Sequence, residues 1–256
     1  MNNQIEDWSE KQIKRRQFFS FAGFGLAALA GTASFNWYRS LPDTENGLSV
    51  ATRNVFGFNE KVNSLFFSNQ HLAKTYSKSE AVAEPRVNGD VGVDTEIDTE
   101  AWKLKVVNPA KNQTFYIGIE DIKALPKHEI AFDFKCIEGW TEVVHYGGAK
   151  LSDFLEKYDL GTKQKAGELY KYLGLETPDG QYYVGLDLKS AVHPQTMLCY
   201  EMNGQALPAE HGAPLRLIIP VKYGVKNLKR IGTLFLSDIP PRDYWHELGY
   251  DYDAAL

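Results

Sequence analysis

One arginine sets the sharpest condition on how this chain can fold. Residues 213–220 read Ala-Pro-Leu-Arg-Leu-Ile-Ile-Pro, with Arg216 alternating with Leu215, Leu217 and Ile219. Such a run reads as a strand. An arginine facing inward there needs an anionic partner, because a buried charge is tolerated only when paired. Just downstream, Lys222, Lys226, Lys229 and Arg230 gather around Gly224. Two readings of 211–232 stay open. One is a phosphate cradle, with backbone amides, Lys and Arg converging on an anion. The other is a solvated basic hairpin.

The remaining sequence repeats the short-strand theme. "WKLKVVN" alternates as a strand, and "NQTFYIGIEDIKALP" gives a strand and a short helix stopped at Pro126. "HEIAFDFKCIEGW" puts Ile130, Phe132, Phe134 and Cys136 on one face, with Cys136 where a loop begins. Leu151, Phe154, Leu155 and Tyr158 form a helical face, with Ser152 as a cap. Pro178-Asp179-Gly180 and Asn203-Gly204 read as turns between strands. The 14 Tyr, 14 Phe, 21 Gly and 11 Pro suit a sheet-rich, turn-rich fold. Residues 52–76 hold Asn54, Asn59, Asn63 and Asn69 among aromatics, and read as a loop that could wrap a polar ligand. The expectation is one continuous α+β domain over 41–256, with many short strands and two or three helices.

The first 40 residues read as an address. Lys14-Arg15-Arg16 precede an uncharged run from Phe18 to Phe35, and Ala28-Leu29-Ala30 offers a cleavage site. Arg15-Arg16 followed by Gln17-Phe18-Phe19 resembles a twin-arginine signal. That resemblance implies the twin-arginine export machinery as a partner and a periplasmic location. The alternative is an uncleaved anchor that tethers the chain to the inner membrane.

The chemistry turns on "FDFKCIEGWTEVVHYGG", residues 132–148. Cys136 there is a buried small hydrophobe, a nucleophile or a metal ligand. Glu138 and Glu142 oppose a low thiol pKa, whereas a metal would supply the missing cation. Two cysteines make no disulfide framework. The formal charge of −5 gives no sign of a nucleic-acid partner. Hydrolase, nucleotide-binding and zinc-protease motifs are missing.

"CIEGWT", "VHPQTMLCYEMNGQALPAEHGAPLRLIIPVKYGVKNLKRIG" and "NSLFFSNQHL" together resemble the sulfite oxidase-type molybdopterin oxidoreductases, from about Arg53 to Asp238. "CIEGW" is similar to the protein-methionine-sulfoxide-reductase branch. The resemblance implies mixed sheets with few short helices and a molybdenum-molybdopterin (Mo-MPT) cofactor. It implies a metal-binding thiolate at Cys136, with Cys136 and Glu138 as the catalytic residues. Asn63, Phe66, Phe67 and Thr177 would contact the pterin. His211, Arg216, Asn227, Leu228 and Lys229 would grip the pterin and its phosphate.

The resemblance also implies two-electron oxygen-atom transfer, as reduction of an S-oxide or N-oxide, small or protein-borne. With no haem motif in this chain, electrons come from a separate partner, a membrane cytochrome b or a soluble cytochrome c. Sulfite oxidases carry arginines just after the ligand cysteine, where this chain has Ile137, Glu138, Gly139 and Trp140. Asn69 replaces another arginine, so no arginine is expected near Cys136 and sulfite is disfavoured. His145 and Tyr146 replace an apolar pair, and Phe67 an acidic residue. His193 reads as a proton donor or as a hydrogen-bonded turn residue. Sulfite dehydrogenase and a cofactor-free envelope binding protein are the alternatives.

Overall fold

The computed structural model of the chain describes residues 10–42, 48–163 and 167–256. It divides into two compact units that meet in sequence at Val55 and Phe56. The first unit holds helix α1, Glu10–Ser40, whose described apolar side chains, Phe21 and Phe24 among them, are exposed. The side chains of Arg15 and Arg16 lie outside the described residues. Among the described residues no helix is long and apolar enough to cross a membrane, so the anchor reading finds no support there.

Helix α2, Val50–Phe66, corrects the expected loop over 52–76. Thr52, Phe56, Glu60 and Asn63 are among its half-buried positions, at helical spacing, and Phe67 continues the stripe just past its end. That stripe outweighs the modest helix propensity of its three asparagines, Asn54, Asn59 and Asn63.

The second unit is built on two five-stranded sheets. The strands in chain order are β1 Lys103–Asn108, β2 Gln113–Gly118, β3 Lys127–Lys135, β4 Thr141–Lys150, β5 Tyr172–Glu176, β6 Tyr183–Asp187, β7 Met197–Met202, β8 Gln205–Ala206, β9 Arg216–Ile218 and β10 Thr233–Ser237. Short helices α3 Ile119–Lys123, α4 Leu151–Lys157, α5 Leu188–Ala191 and α6 Tyr244–Glu247 fill the connections. The first sheet runs β2-β1-β10-β5-β6, with β1 parallel to β10 and the other pairs antiparallel. The second runs β3-β4-β7-β8, with β9 also on β7. Asn203 and Gly204, both left-handed, make the expected tight turn between β7 and β8.

Alternation decides what faces inward. On β1, Leu104 and Val106 are fully buried while Lys103 and Lys105 point out. They join Leu173, Leu175, Leu234 and Leu236 in the main core. Leu151, Phe154 and Leu155 of α4 close it, each worth roughly 2 kcal/mol of burial. Leu198, Leu215 and Leu217 bring one face of the second sheet into this core. Its other face carries a smaller cluster of Phe132, Val144, Tyr146, Cys199 and Ile218. Arg216 pairs with Cys199 and shares the face of Ile218, so it opens onto this second cluster.

Candidate active site

The site begins at the tip of a hairpin. β3 and β4 pair from Lys127–Ala149 to Lys135–Thr141, leaving residues 136–140 as the loop. Cys136 N–H donates to the Trp140 carbonyl at 3.0 Å, and Gly139 N–H to the Cys136 carbonyl at 3.0 Å. Gly139 has φ +89°, a conformation glycine adopts without a side-chain clash. Cys136 therefore stands at the end of a rigid ladder, buried to 8% exposure. Phe134 stacks on Trp140 at 6.0 Å, and Trp140 Nε1 donates to Glu138 Oε2 at 3.0 Å. Burial pushes the Cys136 thiol above its usual pKa, opposed in part by backbone amides and Arg86. A metal cation at Sγ would reverse that balance.

A strap formed by residues 85–95 crosses the hairpin tip. Asn88 Nδ2 lies 3.6 Å from Cys136 Sγ. Arg86 N–H donates to Glu142 Oε2 at 2.9 Å, and its guanidinium lies 5.2 Å from the Trp140 ring centre. Sequence reasoning expected no arginine near Cys136, so Arg86 is a correction. The missed signal is "RVNGDVG", an Arg and an Asn in a turn with left-handed Gly89 and Gly92. At its other end the strap meets the basic turn, where Lys229 Nζ donates to the carbonyls of Asn88 and Gly89 at 2.8 Å.

Under the strap lies a narrow cleft of about 30 Å³, lined by Arg86, Asn88, Phe134, Trp140, Tyr146, His211, Arg216 and Lys229 among others. Arg216 is 2% exposed, and its partners are neutral. Nη1 donates to Tyr146 Oη at 2.9 Å and to the His211 carbonyl at 3.0 Å; Nη2 donates to the Asn227 carbonyl at 3.3 Å. Its Nε is buried and unpaired. Burial, with Arg216 and Lys229 nearby, lowers His211 to about 4. Burial, with Arg216 nearby, lowers Lys229 to about 8. Arg86, Arg216 and Lys229 thus face one cleft with the single carboxylate of Glu142, and no carboxylate is hydrogen-bonded to Arg216 or Lys229. That arrangement asks for an anion from outside.

The other basic residues do not share the task, which narrows the expected cradle. Lys222 pairs with Asp253, Lys226 pairs with Asp243 inside the core, and Arg230 donates to the carbonyls of Ala213 and Thr95. Asn227 and Leu228 shape the turn: Asn227 Oδ1 accepts from Ile219 N–H at 2.7 Å, and Leu228 is core. The Thr177 hydroxyl is held by Asp179 and Tyr182, and its methyl packs against Gly92 under the strap.

Asn63, Phe66 and Phe67 are not brought to this cleft. They line a cavity of about 1140 Å³ together with Asp133 and Lys135. Phe134 faces the cleft, so the two spaces lie on opposite sides of β3. His145 also points away from Tyr146, with Nε2 3.8 Å from Glu129 Oε1. His193 sits in a turn, accepting from Gln195 N–H on Nδ1 and meeting the His71 carbonyl.

Residues 90–245 match a family described as the oxidoreductase molybdopterin binding domain. The chain belongs to this family. A provisionally named protein-methionine-sulfoxide reductase subunit, YedZ1 of Azospira oryzae, is 32% identical over 230 residues, covering 89% of this chain and 82% of the relative. The protein-methionine-sulfoxide reductase catalytic subunit MsrP of Xanthomonas axonopodis pv. citri is 29% identical over 158 residues, covering 57% of this chain and 48% of MsrP. The crystal structure of the sulfane dehydrogenase SoxCD from Paracoccus pantotrophus shares the fold at a TM-score of 0.50, with 21% identity, over 57% of this chain and 40% of that one. The fold is thus the sulfite oxidase-type molybdopterin-binding fold, and the chain is an oxidoreductase. Cys136, Thr177, His211, Arg216 and Lys229 fall inside the matched region, and Asn63, Phe66 and Phe67 precede it.

A molybdopterin fits the donors of this cleft. Cys136, which borders the cleft through Asn88 without lining it, would supply a soft thiolate for the metal at one end. Arg216, with its unpaired Nε, and Lys229 would supply cations for a phosphate at the other. In this conformation the strap narrows the space between them to about 30 Å³, less than a pterin ring system fills.

Proposed function

We propose that this chain is the catalytic subunit of an S-oxide reductase of the cell envelope, acting on methionine sulfoxide, free or protein-borne. The observation that carries the reading is the buried, anion-seeking Arg216 in the cleft that abuts the Cys136 hairpin. The names of YedZ1 and MsrP support the S-oxide substrate. Bound cofactor supplies the two-electron oxygen-atom transfer. The chain holds it through Cys136, His211, Arg216 and Lys229, on a turn built by Asn227 and Leu228, with Thr177 under the strap. Arg86 and Asn88 take the pterin-facing position that the sequence resemblance assigned to Asn63, Phe66 and Phe67. Residues 1–40 serve as a twin-arginine leader and 41–256 as the catalytic domain. Electrons come from a separate carrier, a membrane cytochrome b or a soluble cytochrome c, with no haem in this chain.

Metal analysis of purified protein is the direct test. Wild type is expected to hold about one molybdenum per chain and Cys136→Ser below a tenth of that. Equal metal in both would sink the reading. A screen of S-oxides and N-oxides with reduced viologen dye then fixes the substrate.

Arg86 favours a second reading, sulfite dehydrogenase, because it brings a cation to the Cys136 loop. Turnover of sulfite with ferricyanide, lost in Arg86→Gln, would establish it over S-oxide reduction.

A further inference from the structure

We propose that Asn88 is a positioning residue for the metal thiolate, the third N–H donor of a cage around Cys136 Sγ. This deepens the reading above and rests on it. A neutral thiol asks little of its neighbours, because its sulfur is only a weak donor and a weak acceptor. Three N–H groups nevertheless converge on this one. The backbone amides of Ile137 and Glu138 donate to it from within the hairpin loop. Asn88 Nδ2 donates to it from the strap at 3.6 Å. Asn88 is the one of the three that comes from outside the hairpin.

The strap sets the aim of that side chain. Its ends are fixed at Pro85 and Gly92, both buried, and a Cβ on Gly92 would meet the Thr177 side chain at 2.5 Å. Between them, Arg86 N–H is tied to Glu142 at 2.9 Å, and Lys229 Nζ holds the carbonyls of Asn88 and Gly89 at 2.8 Å. The backbone of Asn88 is therefore pinned on both sides. A metal-bound thiolate can only accept, so the NH2 end of the amide suits it and the oxygen end does not. Hydrogen bonds to a ligand sulfur draw charge from it and raise the reduction potential of the metal it holds. Each turnover of S-oxide reduction takes two electrons from the carrier and spends them, with two protons, on a thioether and water. Asn88 makes the bound metal easier for that carrier to reduce.

The test uses the full-length chain loaded with its cofactor. Molybdenum content, the EPR spectrum of the paramagnetic metal and its midpoint potential are measured for wild type, Asn88→Ala and Asn88→Asp. Aspartate keeps the shape and loses the donor. Both variants are expected to show an altered spectrum and a lower potential, with the reduction constant down about tenfold, or about 59 mV for one electron. Wild type without molybdenum would sink the cofactor reading, and this proposal with it. If wild type holds molybdenum and neither variant moves the spectrum or the potential, only the role of Asn88 falls. Wild type grown with asparagine carrying heavy nitrogen in its side-chain amide reads the contact with no substitution. A nitrogen coupling to the unpaired electron of the metal is expected, and its absence would overturn the proposal even where a variant fails to load.

Discussion

Trp140 owes its orientation to the carboxylate of Glu138, which accepts its indole N–H on the exposed side of the hairpin tip. A glutamine oxygen can accept the same bond. Glu138→Gln is therefore expected to keep turnover within about threefold of wild type, with Glu138→Ala clearly slower, as steady-state kinetics would show. An equal, hundredfold loss in both would make Glu138 a proton-transfer group instead. His211 predicts an acid sensitivity. Its folded pKa of about 4 lies below the usual 6.5, so the unfolded chain takes up the proton first. Stability should fall as the pH drops from about 6.5 to 4, by up to about 3 kcal/mol, in urea melts of the cofactor-free chain. Lys229 sets the opposite edge: phosphate binding should weaken above about pH 8, where its ammonium is lost. At this scale the sequence was half legible. Arg216 announced itself, since a charge inside "PLRLII" must be explained. Arg86 did not, because an arginine in a polar turn gives no hint of which strand end it will cover.

At the scale of elements, strands and turns were readable wherever burial alternates with exposure, as on β1 and β10. α4 was readable too, although Lys150, not Ser152, occupies its cap position. α2 was hidden because its stripe mixes phenylalanines with asparagine and glutamate, which register as loop residues. The basic turn was misjudged for a related reason. Four cations in one stretch look alike, but the distant C-terminal tail neutralises two of them through Asp253 and Asp243. The Lys226–Asp243 pair is buried on both sides. Asp243→Asn should strand the lysine and lower stability by about 3 kcal/mol, measured by denaturant unfolding. Phosphate affinity should fall with it, since Lys226 lies one residue before the Asn227–Lys229 turn.

At the scale of the molecule, the family motifs carried the fold class, and the two mixed sheets follow it. The sheet order was not legible. Nothing local to "KLKVVN" or "TLFLS" says that they will lie side by side. The parallel alignment of Lys105 with Thr233 has a consequence in time rather than in space. Chains grow from the N-terminus, and a pairing between distant segments must await the later one. The first sheet cannot close until nearly the whole chain has left the ribosome, long after residues 1–40 are exposed. A leader that engaged an unfolded-chain translocase would win that race. The leader proposed above, one that waits for a finished, cofactor-loaded domain, would be matched to the slow closure that this sheet order imposes.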